Sequence, residues 1–574
     1  MMVVLGESRA QQPSPSPQRT GRSYSTAEPS KAVPAGPTGL SPVTFSDVTS
    51  SLKIDFKHAA SPTMRKYLLE TMGGGVAIFD YDNDGRMDLF FTNGALLKEE
   101  MAKAAAPDKS DPKYWNRLYH QKADGTFEDV TSRAGLSGSG YSMGVATGDF
   151  DNDGYVDLYV TGYGENHLYR NNGNGTFTDV AKKLGVSASG WSASAGWFDY
   201  DHDGRLDLFV ARYLDWDFEK GSIVCGDARG NRAYCHPDNF KGVSNLLFHQ
   251  RADGKFEDVS KQAGIDDPNG KALGVAFADF DNDGFTDIFV ANDSVRQSLY
   301  RNKGDGTFED IAVESGAGYD EDGKTYAGMG VDTADYDNDG NVDVVCTTLS
   351  FQTYPLYHNN GDLSFSYVTK PTAVGQISFL YSGWGIHFVD VDNDGLYDIV
   401  VAQGHVLDSI EQSTSNLKYR QTPLLMRNLG KTFTNVSATA GEAFSLPIAA
   451  RGAAFGDLNN DGQIDVVIGV VNGSPLILRN NGSKNHWLGL RLIGVQSNRD
   501  GIGSRITLIA LSGARRIFDT STSGSYLSSS DPRLVVGLGS ADRVRAVEIR
   551  WPSGRVQTVA NPSVDRYLTV TESK

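Results

Sequence analysis

The chain is 574 residues long, with 53 basic and 71 acidic side chains, a formal charge of −18 at neutral pH and 39% hydrophobic residues. That apolar share supports a folded core, and no apolar run approaches the roughly 18–20 residues a membrane-spanning helix needs, which excludes a helical membrane protein. The acidic balance disfavours a nucleic-acid binder, which sets clustered Lys and Arg against phosphate, and 64 glycines favour tight turns over long helices.

In chain order, residues 1–42 come first, and Gln11 to Pro42 is rich in Pro, Ser, Ala and Gly. Such a segment buries too little surface to offset its ordering entropy, so a disordered arm is expected. Met1 to Gly6, followed by the small residues Ser8 and Ala10, resembles the remnant of a secretory signal peptide. A secreted, periplasmic or cell-surface location is expected.

From residue 43 to 483 one nonapeptide, D-x-D-x-D-G-x-x-D, recurs seven times. Loop 1 holds Asp80, Asp82, Asp84 and Asp88; loop 2, Asp149, Asp151, Asp153 and Asp157; loop 3, Asp199, Asp201, Asp203 and Asp207. Loop 4 holds Asp279, Asp281, Asp283 and Asp287; loop 5, Asp335, Asp337, Asp339 and Asp343; loop 6, Asp390, Asp392, Asp394 and Asp398. Loop 7 carries Asp457, Asn459, Asp461 and Asp465, with an amide at its third position. Calcium takes six to eight oxygens at about 2.3–2.6 Å. Acids at positions 1, 3, 5 and 9 around a glycine turn supply that donor set. Plain Asp-Gly hairpin turns would accept Asn, Ser or Gly at these positions, and clustered carboxylates repel unless a cation neutralises them. Up to seven Ca2+ ions are expected. Twenty-seven of the 71 acids lie in these loops, so the acidity of the chain is a property of the loops. An EF-hand needs a bidentate Glu at position 12; here that position is Phe91, Val160, Val210, Val290, Cys346, Val401 and Ile468.

Short β-prone runs flank each loop. An Asn-x-Leu-Tyr-like run follows, such as Asn116 to Tyr119, and then a Gly-Thr-Phe-x-Asp-Val run, such as Gly125 to Val130. Four short strands per repeat predict an all-β chain folded as a β-propeller. The Phe of the fourth strand falls at Phe127, Phe177, Phe256, Phe308, Phe365 and Phe433, and the seventh loop lacks one. Thr44 to Val48 carries the missing motif, so the N-terminal strand is expected to close the last of seven blades.

These loops and flanks resemble FG-GAP (VCBS) repeats, the calcium-loop propeller repeats also seen in integrin α-chains. Residues 484–574 carry Asn485 to Leu488, Gly501 to Arg505, Ser523 to Ser528, Val536 to Gly539 and Ile549 to Gly554, and resemble a small β-rich ASPIC/UnbV domain. The pairing is similar to bacterial relatives of the cartilage acidic protein family. The resemblance implies an extracellular calcium-binding protein without enzymatic activity; three cysteines cannot supply the EGF-like module of the animal members.

The long insertions, roughly residues 94–115, 213–243 and 404–422, join second to third strands and so crowd the face opposite the acidic loops. Asn93, Arg212, Asn292, Asp293, His405 and Asn472 end second strands there and are expected to ring the channel mouth as a polar ligand face for a glycan or an extracellular protein. Cys225 and Cys235 are expected to form a disulfide, and Cys346 to be a buried thiol. The leading reading is a monomeric calcium-stapled binding or adhesion protein. A polysaccharide-active enzyme at the channel mouth is one alternative. Another is nucleic-acid binding through Arg505, Arg515, Arg516, Arg533, Arg543, Arg545 and Arg550, which are otherwise expected to lie on a solvated surface.

Overall fold

The computed structural model describes residues 20–24, 35–226 and 230–574. Strands dominate it, and no helix among the described residues exceeds the five residues of Val374–Ser378. Short alternating apolar runs separated by glycine turns leave no length in which a helical face could form.

Among the described residues, seven repeat units each form four antiparallel strands. In the first unit these are Val76–Phe79, Asp88–Phe91, Arg117–Gln121 and Phe127–Asp129, with loop 1 between the first two. In the last unit Ala450–Gly456, Asp465–Val470 and Leu476–Asn480 are completed by Phe45–Asp47, paired antiparallel to Leu476–Asn480, as the position of the lone N-terminal Phe motif predicts. The entering strands touch in succession around the molecule, and Ala450–Gly456 returns to pack on Val76–Phe79. The sheets therefore form a closed all-β propeller, and each gap between neighbouring sheets is filled by apolar side chains, such as Ile78, Leu89, Phe91, Ala454, Val467 and Ile477 between the last sheet and the first. Each sheet keeps its edge strands, but the outer ones are short, three residues in Phe127–Asp129, which leaves little edge for another chain to pair with.

The C-terminal segment builds two further sheets. His486–Ile493 lies between Leu534–Gly539 and Tyr567–Thr571, and Arg505–Ile509 lies between Arg515–Asp519 and Ala546–Arg550, with Val556–Ala560 outside. Leu488, Leu490, Ile506, Val547, Ile549 and Trp551 form their shared core. This unit sits on the face of the ring that carries the acidic loops.

Its segment from Thr522 to Ser530 runs into the central channel. Ser525 exchanges backbone hydrogen bonds with Val331 at 2.7 and 3.1 Å, and Ser529 N donates to Val76 O at 2.9 Å. Leu527 O accepts from Val145 N at 3.0 Å, and Leu527 N donates to Ser194 Oγ at 3.0 Å. The buried Tyr526 ring lies 4.9 Å from Trp384, and its hydroxyl donates to Met72 O at 2.9 Å. A Cβ on Gly75 would stand 2.3 Å from Leu527 O, so the inner strand needs glycine there for the segment to pass.

The three insertions close the opposite end. Leu97, Tyr213, Trp216, Phe218, Val406, Leu407, Ile410 and Leu417 merge with Trp191, Trp384 and Tyr526 in one apolar cluster. The channel mouth is thus covered by packed side chains.

The N-terminal arm departs in part from the expected disorder. Thr20–Arg22 pairs parallel to Val224–Gly226, and Tyr24 is buried in the insertion cluster. Residues 37–41 bond to the sixth sheet, with Asn435 N donating to Pro37 O at 2.9 Å and Ser41 N to Thr439 Oγ1 at 2.8 Å. These short stretches are ordered because their backbone groups find partners on edges that composition alone does not reveal. The signal-peptide resemblance lies outside the described residues. Cys225 and Cys235 are joined in a disulfide beside Thr20–Arg22, and Cys346 is a buried free cysteine, as expected. No helix among the described residues is long and apolar enough to cross a membrane.

Candidate metal centres

Six of the seven loops share one set of internal bonds, and in loop 4 the position-5 N–H of Asp283 turns instead to Asp281 Oδ1 at 3.2 Å. The position-1 carboxylate accepts the backbone N–H of positions 5 and 6, as Asp80 does from Asp84 at 3.1 Å and from Gly85 at 2.9 Å. Position 5 accepts from position 7, as Asp84 Oδ1 does from Arg86 N at 2.9 Å. Position 9 accepts twice: Asp88 Oδ2 from Tyr81 N at 3.1 Å, and Oδ1 from Gln121 N in the third strand at 2.8 Å. Position 4 sits in the left-handed region in every loop, with φ between 57° and 60° for Asn83, Asn152, His202, Asn282, Asn338, Asn393 and Asn460. Asn tolerates that region better than other non-glycine residues.

The carboxylates converge. Asp80, Asp82 and Asp84 each place an oxygen within 4.8 Å of one another, as do Asp149, Asp151 and Asp157. Five of these oxygens are buried without a hydrogen-bond partner: Oδ1 of Asp82, Asp151, Asp201, Asp279 and Asp337. A buried carboxylate oxygen left unpaired costs about 1–3 kcal/mol or more, and its repetition, at position 3 in four loops and at position 1 in loop 4, fits a cation. The donor set is all oxygen, from carboxylates at flexible spacing, which suits a hard divalent ion.

Burial raises the position-1 carboxyl of Asp149, helped by Asp500, and that of Asp199, helped by Asp207, each to about 8. Asp390 rises to about 8 by burial and then by repulsion from Asp394, and Asp465 rises to about 8 mainly by burial. Such groups hold protons in the absence of a countercharge and would release them to solvent when an ion binds.

The third strand supplies a countercharge at each loop, which sequence reasoning missed, and loops 1 and 3 add Arg86 and Arg205 of their own, paired with Asp84 and Asp203. The third strand sets a His or Arg against the acids: His120 Nδ1 lies 3.2 Å from Asp88 Oδ1, Arg170 Nε 2.5 Å from Asp151 Oδ2, and His249 Nδ1 3.1 Å from Asp207 Oδ1. Arg301, His358 and Arg427 face loops 4, 5 and 6 in the same way, and Arg479 lowers the carboxyl of Asp465 in loop 7. The signal was present in the sequence: each of these residues immediately precedes the Asn or Gln that ends the third strand.

The expected ligand face is not an open rim. Asn93 is buried, accepting from Ala59 N at 2.7 Å and donating to Lys113 O and Trp115 O. Asn292 accepts from Lys271 N and donates to Arg296 O, and Asn472 accepts from Ala60 N at 2.8 Å. Asp293 accepts from Tyr213 Oη at 2.6 Å, and burial lowers His405 to about 3 while it accepts from Leu407 N. Arg212 Nη2 donates to Ser189 O at 3.0 Å. Asn93, Asp293 and His405 thereby hold the insertions in place, and Arg212, Asn292 and Asn472 bond to neighbouring segments, because strand ends covered by long loops must satisfy their polar groups internally.

The arginines of the C-terminal unit are likewise not a uniform solvated surface. Arg543 is exposed at its side chain, whereas Arg505 and Arg533 are each 9% exposed and grip loops 4 and 7. Arg516 Nη1 donates to Gly395 O in loop 6 at 3.0 Å.

A ring of sheets with an acidic turn after each entering strand, capped by a small β unit, defines the class as a repeat β-propeller with candidate cation loops. FG-GAP-like repeats match residues 104–160, 149–210, 239–290, 279–346 and 335–401, and the family described as ASPIC and UnbV matches residues 494–574. The chain thus carries FG-GAP-like repeats and, after them, an ASPIC and UnbV region. It is 27% identical over 328 residues to human cartilage acidic protein 1, covering 55% of this chain and 46% of that protein, and 27% identical over 334 residues to the Xenopus tropicalis protein of that name, covering 55% and 47%. The chain therefore spans just under half the length of these curated relatives. Among solved structures, YCF48 bound to D1 peptide aligns at a TM-score of 0.41 and 8% identity, covering 78% of this chain and 98% of that one.

Proposed function

We propose that this chain is an extracellular or cell-surface binding protein whose propeller is stapled by calcium at its seven acidic loops, without a catalytic role. The observation that carries the reading is the recurring buried, unpaired carboxylate oxygen within the loops. The residues that would hold the ions are those at positions 1, 3, 5 and 9 of each loop, and a bound ion would neutralise them and fix the turn between two strands. The FG-GAP-like repeats, the likeness to cartilage acidic protein 1 and the Cys225–Cys235 disulfide all favour an oxidising, extracellular setting.

With the channel filled at its centre and covered at its insertion end, recognition of a glycan or protein falls to the outer surface. Two open clefts there share Trp115; one is lined by Arg117, Glu128 and Arg133, the other by Lys109, Ser139, Tyr163 and His167. A flat aromatic flanked by polar groups suits a sugar face or a peptide.

Calorimetric titration of the metal-stripped full chain with calcium chloride tests the cation reading: several equivalents of uptake and a raised melting temperature are expected, and neither occurring would overturn it. A glycan array screened with the native chain and with Trp115→Ala tests the recognition surface.

A further inference from the structure

The C-terminal unit meets loops 4 and 7 through the same construction built twice. At loop 4, Arg505 forks onto Asp519 of its own unit at 2.6 and 2.7 Å, and its outer nitrogens reach Asp279 O at 3.0 Å and Asn282 Oδ1. At loop 7, Arg533 pairs with Asp531 at 2.7 Å and reaches Asp457 O at 2.8 Å and Asn460 Oδ1 at 2.5 Å. Each arginine thus holds the position-1 carbonyl and the position-4 amide of its loop. The two lie far apart in the C-terminal sequence and come from different strands and turns, so the shared geometry follows from the shared shape of the loops.

A second donor then fixes the position-1 carboxylate itself. Arg550 Nη2 lies 2.6 Å from Asp279 Oδ2, which also accepts Gly284 N at 3.0 Å. Tyr567 Oη donates to Asp457 Oδ2 at 2.9 Å, and that oxygen also accepts Gly462 N at 2.7 Å. The Asp279 side chain is only 8% exposed, and its Oδ1 is buried and unpartnered. One oxygen of the carboxylate is therefore anchored by the neighbouring unit, and the other is left free inside the loop. This is the arrangement by which outer partners orient metal-binding carboxylates. Loop 7, which has Asn459 in place of an acid, receives the same outer support at Asp457 Oδ2, while Asp457 Oδ1 accepts Asp461 N at 3.0 Å.

We propose that the C-terminal unit completes the cation sites of loops 4 and 7, with Arg550 and Tyr567 as positioning residues for Asp279 and Asp457. This inference rests on the cation reading of the loops. It gives the second module a role: it docks on the ring and tightens two of its sites, and by linkage an ion bound there tightens the docking.

The test uses the full chain, stripped of metal and re-equilibrated at limiting calcium, with retained ions counted by atomic emission and melting temperatures measured in calcium and in chelator. R550Q and Y567F should each weaken one site about 10–100-fold, so that one fewer ion is retained in each and two fewer in the double variant. Their melting temperatures should fall in calcium and stay near the wild-type value in chelator, and R550K should recover part of the loss. Unchanged ion counts, or equal melting losses with and without calcium, would show that these residues only join two units and would overturn the inference. Absence of calcium uptake by the wild-type chain would instead sink the underlying cation reading.

Discussion

Gln121 Nε2 donates to the carbonyl of Leu458 at 2.8 Å, joining the first sheet to loop 7 across 337 residues of sequence. The same bond recurs around the whole ring: Asn171 to Tyr81, Gln250 to Phe150, Asn302 to Tyr200, Asn359 to Phe280, Asn428 to Tyr336 and Asn480 to Val391, at 2.7 to 2.9 Å. Each buried amide ends a third strand and reaches position 2 of the preceding loop. The backbone N–H of each same residue bonds position 9 of its own loop, so one strand position, always Asn or Gln, ties every loop to two sheets.

Gln121→Ala should therefore weaken the seam where the chain ends meet. The lost donor leaves a buried carbonyl unpaired, at a cost of about 1–3 kcal/mol. Urea unfolding in calcium checks this, and a loss below a few tenths of a kcal/mol would mean that water replaces the amide.

Asp149→Asn should reduce the calcium-dependent rise in melting temperature more than Asn459→Ala does. Asp149 receives the backbone of Asp153 and Gly154 and stands in the middle of a full acid set, whereas Asn459 bonds only its neighbour Asp461, at 2.8 Å. Thermal melts of both variants at matched calcium decide the order.

The metal-free chain should be stabilised by mild acid. Asp149, Asp199, Asp390 and Asp465 titrate near 8 in the folded chain, raised first by burial, against ordinary values near 3.8 when unfolded. The folded state then binds more protons, so stability is lost as pH rises through about 8. His358, raised to about 9 by its bond to Asp343, acts with the same sign. Below about 6.5 the buried His58 and His405, lowered by burial to about 3, begin to oppose folding. Between pH 9 and 6.5 the melting temperature in chelator should thus climb as pH falls, while in calcium, where protons compete with the ion, the climb should shrink or reverse. A chelated melt that climbs toward alkaline pH would contradict the assignment.

Tyr526→Ala should cost about 3–5 kcal/mol, the range for emptying a large buried aromatic site. The ring fills the channel beside Trp384, and Arg451, itself buried, stacks on the other ring at 4.0 Å. The expected readout is a lower midpoint in denaturant with an unchanged calcium count, since the channel lies apart from the loop carboxylates.

The acidic turns could be recognised from sequence because their residues are consecutive. A nine-residue turn brings its own side chains together, and Gly85 or Asn83 at a left-handed position can be read without any neighbour. The strand rhythm and the Phe45 strand that completes the last sheet were legible for a related reason: each repeat states its own content, and a missing strand shows as a gap in a series. The expected ligand face failed because Asn93, Asp293 and His405 look alike in sequence whether a loop folds back over them or not. The arginines of the C-terminal unit failed for the same reason, since Arg505 and Arg543 differ only in what faces them.

The sequence by itself determined the repeat, the acid spacing and the strand order, all properties of local ligand geometry and two-residue side-chain alternation. Only the tertiary structure decided that Tyr526 fills the channel, that the insertions cover its far end, and that Arg550 and Tyr567 lean on loops 4 and 7. Those contacts join segments tens to hundreds of residues apart, and they exist only because a closed ring fixes where each sheet and the capping unit stand.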